Sequence, residues 1–116
     1  MKVIIAGGRN FTEYQRLTKT CNILLENETG IEIVSGVYYK GADLLGEQYA
    51  KEKGHKLTQF PANWKRYGKA AGPKRNQEMA NYADALIAFW DGKSRGTKHM
   101  IELAKSQGLI VNVCYY

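Results

Sequence analysis

Short apolar runs alternate with polar stretches along this chain of 116 residues, and turn-forming residues bound each run. Runs rich in β-branched and aliphatic residues beside glycine, proline, asparagine or serine are typical of β-strands. They predict five strands, at Val3–Ala6, Glu32–Val34, Lys56–Phe60, Ala85–Trp90 and Leu109–Val113. The first and fourth are apolar without interruption, which indicates strands that are covered on both faces.

Helical spacing of apolar residues fills the segments between these runs and predicts helices at Glu13–Asn27, Ala42–Gly54, Pro73–Tyr82 and Thr97–Gln107. Strand and helix alternate, which is typical of an α/β protein with a parallel sheet. We predict one Rossmann-like domain over residues 1–116, with a mainly parallel five-stranded sheet and helices on both faces. The chain is too short for a second core, and no linker or repeat divides it. Such sheets bind their ligands at the carboxyl ends of the strands.

Composition argues against several classes of protein. The sequence has no apolar window of about 18 residues, the length that would cross a membrane, and its first apolar run is too short for a signal peptide. Cys21 and Cys114 form no metal or redox motif, so we expect two reduced cysteines. A cytoplasmic location follows as an expectation, with no metal, cofactor or membrane partner.

Charge favours an anionic partner, either a phosphorylated small molecule or nucleic acid, because the net charge is +6. Five cations and no acidic residue lie between Asn63 and Arg75, namely Lys65, Arg66, Lys69, Lys74 and Arg75 itself. Charge alone favours a solvated loop there. Trp64 lies beside this segment, and we expect its ring to pack against the protein.

Two turns early in the chain follow predicted strands and contain glycines, which allow the backbone to approach a ligand closely. In the first turn, Gly8 precedes Arg9, whose guanidinium is suited to a phosphate. In the second, Ser35 and Gly36 follow the strand, and Asp43 lies near the start of the next helix. Asp43 is explained equally well by the dipole of that helix or by hydrogen bonds from a ribose.

Two later turns concentrate cations. Arg75 and Asn76 follow Gly72-Pro73, a dipeptide typical of a helix start, and a bound anion would explain cations in a first helical turn. The loop before the last helix contains the remaining candidates, which are Gly92, Ser94, Arg95, Gly96 and Thr97. Glycines, hydroxyls and cations in so short a loop are suited to cradling a phosphate, although the spacing of a P-loop is absent.

These four turns, in this order, resemble the SLOG superfamily of Rossmann-like proteins. The closest resemblance is to its small YspA/YpsA-related branch, which is often found in bacteria and phages. The segments that carry it are Ile5–Phe11, Ser35-Gly36 with Lys40–Asp43, Phe60–Trp64, Gly68–Met79 and Arg95–Thr97, and together they extend over nearly the whole chain. For this branch the resemblance implies ligand sensing or binding, without a settled reaction.

Better-understood members of the superfamily are the cytokinin-activating phosphoribohydrolases, whose motifs are R-x-x-x-M, A-D-A-x-I-A and P-G-G-x-G-T-x-x-E. Arg75 and Met79 match the first motif, so the resemblance gives Arg75 the position of the active-site arginine. The phosphate loop is longer here, and Met100 stands where that family has its catalytic glutamate. A thioether cannot do acid–base chemistry. The resemblance therefore implies a nucleotide-like phosphate ester as ligand but leaves enzymatic activity open.

The main hypothesis is a sensor or binding protein for a nucleotide-like small molecule. One alternative is an N-glycosidase of nucleoside phosphates, in which Asp43, Glu47 or Asp91 replaces the missing glutamate. The other alternative is a protein that binds single-stranded nucleic acid. It rests on Ser35–Asp43, which is similar to the S-G-x-A-x-G-I-D turn of the DNA-processing protein that loads recombinase on single strands. The resemblance also leaves a homodimer open, since relatives commonly dimerise.

Overall fold

Five strands and five helices alternate in a computed structural model that describes residues 1–116. The strands are Lys2–Gly7 (β1), Glu32–Ser35 (β2), Lys56–Gln59 (β3), Ala85–Trp90 (β4) and Ile110–Tyr115 (β5). The helices are Tyr14–Leu24 (α1), Ala42–Lys53 (α2), Trp64–Tyr67 (α3), Ala71–Tyr82 (α4) and Arg95–Ser106 (α5), with a 3-10 turn at Gly68–Ala70. Each predicted strand and helix is present, with its ends moved by a few residues.

All five strands form one sheet in the order β3-β2-β1-β4-β5, and every neighbouring pair is parallel. β1 is central, with Ile4 beside Val34 of β2 on one side and beside Leu86 of β4 on the other. The chain first builds outward from β1 to β3 and then returns to add β4 and β5 on the opposite side. The predicted parallel sheet is confirmed, and its strand order reverses between β1 and β4, where such sheets bind ligands.

Helices cover both faces of the sheet, because successive strand residues point to opposite sides. On one face, Ile5 belongs to a buried cluster with Leu17 of α1 and Tyr49 of α2. On the other face, Ile4 packs in a cluster that α4 and Met100 of α5 complete. The prediction of helices on both faces is confirmed. None of the helices is long and apolar enough to span a membrane.

The segment after β3 is more ordered than the predicted cationic loop. Asn63 caps α3, since its Oδ1 accepts a hydrogen bond from the N–H of Arg66 at 3.1 Å. α4 begins at Ala71, so Pro73 is its third residue and Arg75 begins the second turn instead of lying in the first. Proline is tolerated at this position because the N–H groups of a first turn have no partner within the helix.

Trp64 packs against the protein only in part. The residue is 52% exposed, although the ring edge lies against Gly72 of α4, where an added Cβ would be 3.3 Å from it. A large aromatic side chain is thus presented to solvent within the cationic segment.

Candidate ligand-binding cleft

A cleft of about 90 Å³ lies at the carboxyl end of β1, where Ala6 and Gly7 form part of its wall. The N-terminal parts of α2, α4 and α5 provide the remaining walls. This position is the point at which the strand order reverses, as the topology predicts.

Seven of the predicted ligand-binding residues line this cleft, namely Arg9, Asp43, Arg75, Asn76, Ser94, Gly96 and Thr97. They come from four separate turns, which the parallel strands bring to one edge of the sheet. The other five predicted residues, Gly8, Ser35, Gly36, Gly92 and Arg95, are outside the lining. These five residues lie in or beside the turns that surround the cleft.

Gly8 joins the first two turns from behind the cleft. Its carbonyl oxygen accepts hydrogen bonds from the N–H groups of Phe11 at 3.2 Å and Ala42 at 3.1 Å. The second of these bonds fixes the start of α2 against the turn after β1. Gly41 allows this close approach, because an added Cβ would lie 2.5 Å from the carbonyl oxygen of Gly8.

Ser35 and Gly36 shape the second turn. The Ser35 hydroxyl donates to Oε2 of Glu47 at 2.6 Å and accepts from the N–H of Val37 at 3.0 Å. Val37 has a φ of 59°, a left-handed conformation that β-branched residues rarely adopt. An added Cβ on Gly36 would lie 2.7 Å from Nη1 of Arg75, so glycine at this position lets that guanidinium enter the cleft.

Asp91 organises the loop before α5. Its Oδ1 accepts hydrogen bonds from two loop N–H groups, including that of Ser94, each at 2.8 Å. Gly92 provides a positive φ of 82° in this turn. α5 begins at Arg95, two residues earlier than predicted, and the exposed Arg95 side chain does not contribute to the lining.

The first turn of α5 faces the cleft through Gly96 and Thr97. The N–H groups of Arg95, Gly96 and Thr97 have no backbone acceptor, as is usual for the first turn of a helix. Such groups carry partial positive charge and favour an anion. The hydroxyls of Ser94 and Thr97 lie 3.2 Å apart beside them, so donors of two kinds converge here.

Arg75 enters the cleft from α4 and is held by two acceptors. Its Nη1 donates to the carbonyl oxygen of Gly36, and its Nε donates to Oδ1 of Asn76 at 3.0 Å. Asn76 is buried, and its Nδ2 lies 3.2 Å from Nδ1 of His99 and donates to the carbonyl oxygen of Gly96 at 3.4 Å. The guanidinium is therefore positioned without using its whole donor set.

Three cationic side chains and one carboxylate line the cleft, namely Arg9, Lys40, Arg75 and Asp43. Burial raises the pKa of the Asp43 carboxyl from 3.8 to about 6, although the Arg75 guanidinium opposes this rise. Burial also lowers the pKa of Arg75, and Asp43 opposes that change. Arginine nevertheless keeps its charge in proteins. The cleft is therefore positively charged and attracts anions.

The sequence leaves open whether Tyr38 and Tyr39 stack on a base or simply pack. In the structure Tyr38 lines the cleft at its mouth, and Tyr39 lies beside Tyr38 outside the lining. Their ring centroids are 4.7 Å apart, and the Arg9 guanidinium lies 4.2 Å from the centroid of Tyr38. Tyr39 is 74% exposed. The adjacent tyrosines and Lys40 are visible in the sequence, but their spacing does not reveal which of them turns inward.

Met79 and Met100 are also part of the lining, and both are buried. They give the cleft an apolar floor below its polar rim. The match of Arg75 and Met79 to one motif was the signal that could have identified Met79. No group of three His, Cys, Asp or Glu side chains is arranged to hold a metal ion.

A parallel sheet of this order with a cationic cleft at its reversal point defines a Rossmann-like ligand-binding fold. The chain belongs to the YspA, cpYpsA-related SLOG family, whose profile matches residues 1–67. It is also 31% identical, over 117 residues, to the Gene 61 protein of Mycobacterium phage D29, an alignment that covers 95% of this chain and 93% of that protein. No solved structure matches the chain. Membership of the SLOG family suggests a nucleotide-related ligand.

Proposed function

We propose that the protein binds a nucleotide-like small molecule by its phosphate group, as a sensor or binding protein. The phosphate lies against the first turn of α5, within reach of the hydroxyls of Ser94 and Thr97. Arg75 neutralises its charge from the side of α4. The rest of the ligand extends toward the mouth of the cleft, where Tyr38 and Tyr39 can contact a base.

The position of Arg75 is the observation that carries this proposal. The Arg75 guanidinium is half-buried, which is costly for an unpaired charge, yet it has no carboxylate within 4 Å and hydrogen-bonds only to the carbonyl of Gly36 and to Asn76. Free N–H groups at the start of α5 are brought close to it by the contact between Asn76 and Gly96. An anion between these groups would satisfy both sets of donors.

The volume of the cleft supports a ligand that is only partly enclosed. Drug-sized ligands occupy pockets of about 300–1,000 Å³. A cavity of about 90 Å³ is smaller, and it suits a phosphate with part of a sugar. We therefore expect the base to be bound at the surface and to contribute less to affinity than the phosphate.

Thermal unfolding in the presence of AMP, GMP or inorganic phosphate tests the proposal. A ligand at a hundred times its dissociation constant should stabilise the fold by about 2.7 kcal/mol. Arg75→Ala should reduce this stabilisation to about half or less at the same ligand concentration, whereas Lys19→Ala, which removes an exposed cation on α1, should preserve it. Unchanged melting of the wild-type protein with every nucleotide and with phosphate would contradict the proposal.

Single-stranded nucleic acid is a second candidate partner, and the exposed Trp64 favours it. Lys65 and Arg66 are also exposed, and the Tyr67 ring lies 5.2 Å from the guanidinium of Arg66 and 4.8 Å from the ammonium of Lys74. Exposed aromatic rings among cations are the usual elements of single-strand binding, because bases stack while phosphates pair.

A salt titration distinguishes the two candidates. Binding of a fluorescent oligothymidylate should weaken steeply with salt, with a slope of roughly −0.7 for each phosphate neutralised, and Trp64→Ala should weaken it further. Binding of AMP should change little with salt and should be insensitive to Trp64→Ala. An oligonucleotide that binds equally well to wild type and Trp64→Ala would exclude α3 as its contact surface.

A further inference from the structure

Asp43 is the one carboxylate that lines the cleft, and the protein leaves most of its acceptor capacity free. Within the protein, the backbone N–H of Tyr38 is the one hydrogen-bond donor that lowers the pKa of this carboxyl. The ion pairs of the chain within 4 Å involve Glu13 and Glu32 instead. Asp43 lies in the first turn of α2, whose N-cap residue, Gly41, has no side chain to form a capping bond. The Asp43 carboxylate is half-buried and opens onto the cleft, so a bound molecule can reach its free acceptor sites.

Arg75 attracts the Asp43 carboxylate and so opposes the rise in its pKa, but the two side chains form no salt bridge. The Arg75 guanidinium donates to Gly36 and Asn76, and no nitrogen of it lies within 4 Å of the Asp43 carboxylate. Glu47, one turn further along α2, is different: its Oε2 accepts from Ser35 at 2.6 Å and from Gln59 at 3.1 Å. Of these two carboxylates, that of Glu47 is therefore bonded within the protein, while that of Asp43 faces the cleft.

The surroundings of Asp43 restrict the donors that can reach it. Arg9, Lys40 and Arg75 line the same cleft, so a metal cation would be repelled by three neighbouring charges. Neutral donors, such as hydroxyl groups, carry no such penalty. Two hydroxyls on adjacent carbons can donate to both oxygens of one carboxylate.

Contacts across the cleft show in which order its functional groups follow one another. The first turn of α5 contacts Asn76, which contacts Arg75. Arg75 and Asp43 converge on Gly36, where an added Cβ would lie 2.7 Å from Nη1 and 3.1 Å from Oδ2. Asp43 in turn lines the cleft together with Tyr38, whose ring lies beside that of Tyr39. Anion donors, a carboxylate and aromatic rings thus follow one another, as phosphate, sugar hydroxyls and base do in a nucleoside 5′-phosphate.

We propose that Asp43 accepts hydrogen bonds from the 2′- and 3′-hydroxyls of a ribose, and that the cleft therefore selects ribonucleotide 5′-phosphates over their 2′-deoxy counterparts. This inference rests on the proposed phosphate site and assigns the sugar that accompanies the phosphate. Selectivity arises because the 2′-deoxy ligand leaves the carboxylate with fewer donors.

Calorimetric titration of wild type, Asp43→Asn and Glu102→Gln with AMP, 2′-deoxy-AMP and inorganic phosphate tests this assignment. Wild type should bind AMP about ten-fold more tightly than 2′-deoxy-AMP, the effect of one hydrogen bond to a charged group. Asp43→Asn should bind the two nucleotides within about two-fold of each other. It should bind inorganic phosphate at least as tightly as wild type, because a negative charge has left the site. Glu102→Gln, which removes an exposed carboxylate of α5, should behave as wild type.

The outcomes distinguish the ribose assignment from the proposed phosphate site on which it rests. Failure of AMP and inorganic phosphate to bind wild type would overturn both. Equal binding of AMP and 2′-deoxy-AMP to wild type would overturn the ribose assignment and leave the phosphate site standing. A preference for AMP that persists in Asp43→Asn would have the same meaning.

Discussion

Asn76 on α4 and Gly96 on α5 are joined by a hydrogen bond of 3.4 Å, from the Asn76 side-chain amide to the Gly96 carbonyl oxygen. The same side chain accepts from Nε of Arg75 at 3.0 Å, so it sets the spacing between the guanidinium and the first turn of α5. We predict that Asn76→Ala lowers the unfolding free energy by about 1–3 kcal/mol, because buried polar groups lose their partners. Urea unfolding measures this. Asn81→Ala, at an exposed position of α4, should change stability by less than about 0.5 kcal/mol.

Arg75 and Arg95 offer a matched comparison, because one guanidinium lines the cleft and the other is exposed outside it. Arg75→Ala should weaken binding of AMP by about 1.5–3 kcal/mol, as expected for a lost hydrogen bond to a charged group. Arg95→Ala should weaken it by less than about 1 kcal/mol, because exposed charges act through solvent. Calorimetric titration of both variants with AMP shows which guanidinium contributes more to the affinity. A larger loss in Arg95→Ala would mean that its side chain, and not only the α5 backbone, holds the anion.

The raised pKa of the Asp43 carboxyl predicts how the free energy of unfolding depends on pH. This carboxyl has a pKa of about 6 in the folded protein against 3.8 ordinarily, so the folded state binds the proton more tightly. The free energy of unfolding therefore falls as the pH rises from 3.8 to about 6, and it does not fall further on this account at higher pH. Asp43→Asn should be more stable than wild type at pH 8, by at most about 3 kcal/mol, and the gain should vanish below about pH 4. Unfolding curves at both pH values test this. A gain that is equal at pH 8 and pH 4 would contradict it.

Gly41 should tolerate alanine much less well than Gly54, although both have a positive φ, of 78° and 70°. At Gly41 an added Cβ would lie 2.5 Å from the carbonyl oxygen of Gly8 and 2.6 Å from Cα of Arg9, whereas nothing lies within 4 Å at Gly54. Gly41→Ala should cost about 3–5 kcal/mol of unfolding free energy, from the clash and the backbone conformation together. Gly54→Ala should cost about 1–2 kcal/mol. An equal loss of unfolding free energy in the two variants would show that the backbone conformation alone causes it.

Release of free base from nucleoside monophosphates should not occur at an enzymatic rate, which is about 1–10³ per second. Met100 lies in the floor of the cleft and cannot transfer protons. The carboxylate of Glu47 is bonded to Ser35 and that of Asp91 to its own loop, which leaves Asp43. Chromatography of protein incubated with AMP should detect no adenine at such a rate. Adenine formed with an equal amount of ribose 5-phosphate by wild type, and not by Asp43→Asn, would make Asp43 the catalytic group.

The sheet was predictable because its signal is strong and local. Val3–Ala6 and Ala85–Trp90 are apolar without a break, and only strands covered on both faces require this. α3 was missed because four residues contain no helical period. Asn63 was its one visible signal, and asparagine caps many turns that are not helices.

The cleft was predictable to the extent that topology decides it. Parallel strands must bring their carboxyl ends to one edge, so Asp43, Arg75 and Thr97 could be expected to meet. The direction of individual side chains could not be read in the same way. A helix turns by about 100° for each residue, so a start at Arg95 instead of two residues later changes which side chains face inward.

The central position of β1 has a consequence for the chain as it leaves the ribosome. β1 is made first, but its partner β4 is the fourth strand, and the pairing of Val3 with Ala85 spans most of the molecule. The residues made early, including the segment matched by the family profile, contain β1, β2 and β3 but none of α4 or α5. Until Trp90 has emerged, one edge of β1 has no neighbour and the apolar face that Met79 and Met100 later cover is open to water. Synthesis that stalls within this window should therefore yield aggregating fragments, whereas a chain that also contains α5 and β5 can complete both the sheet and the cleft.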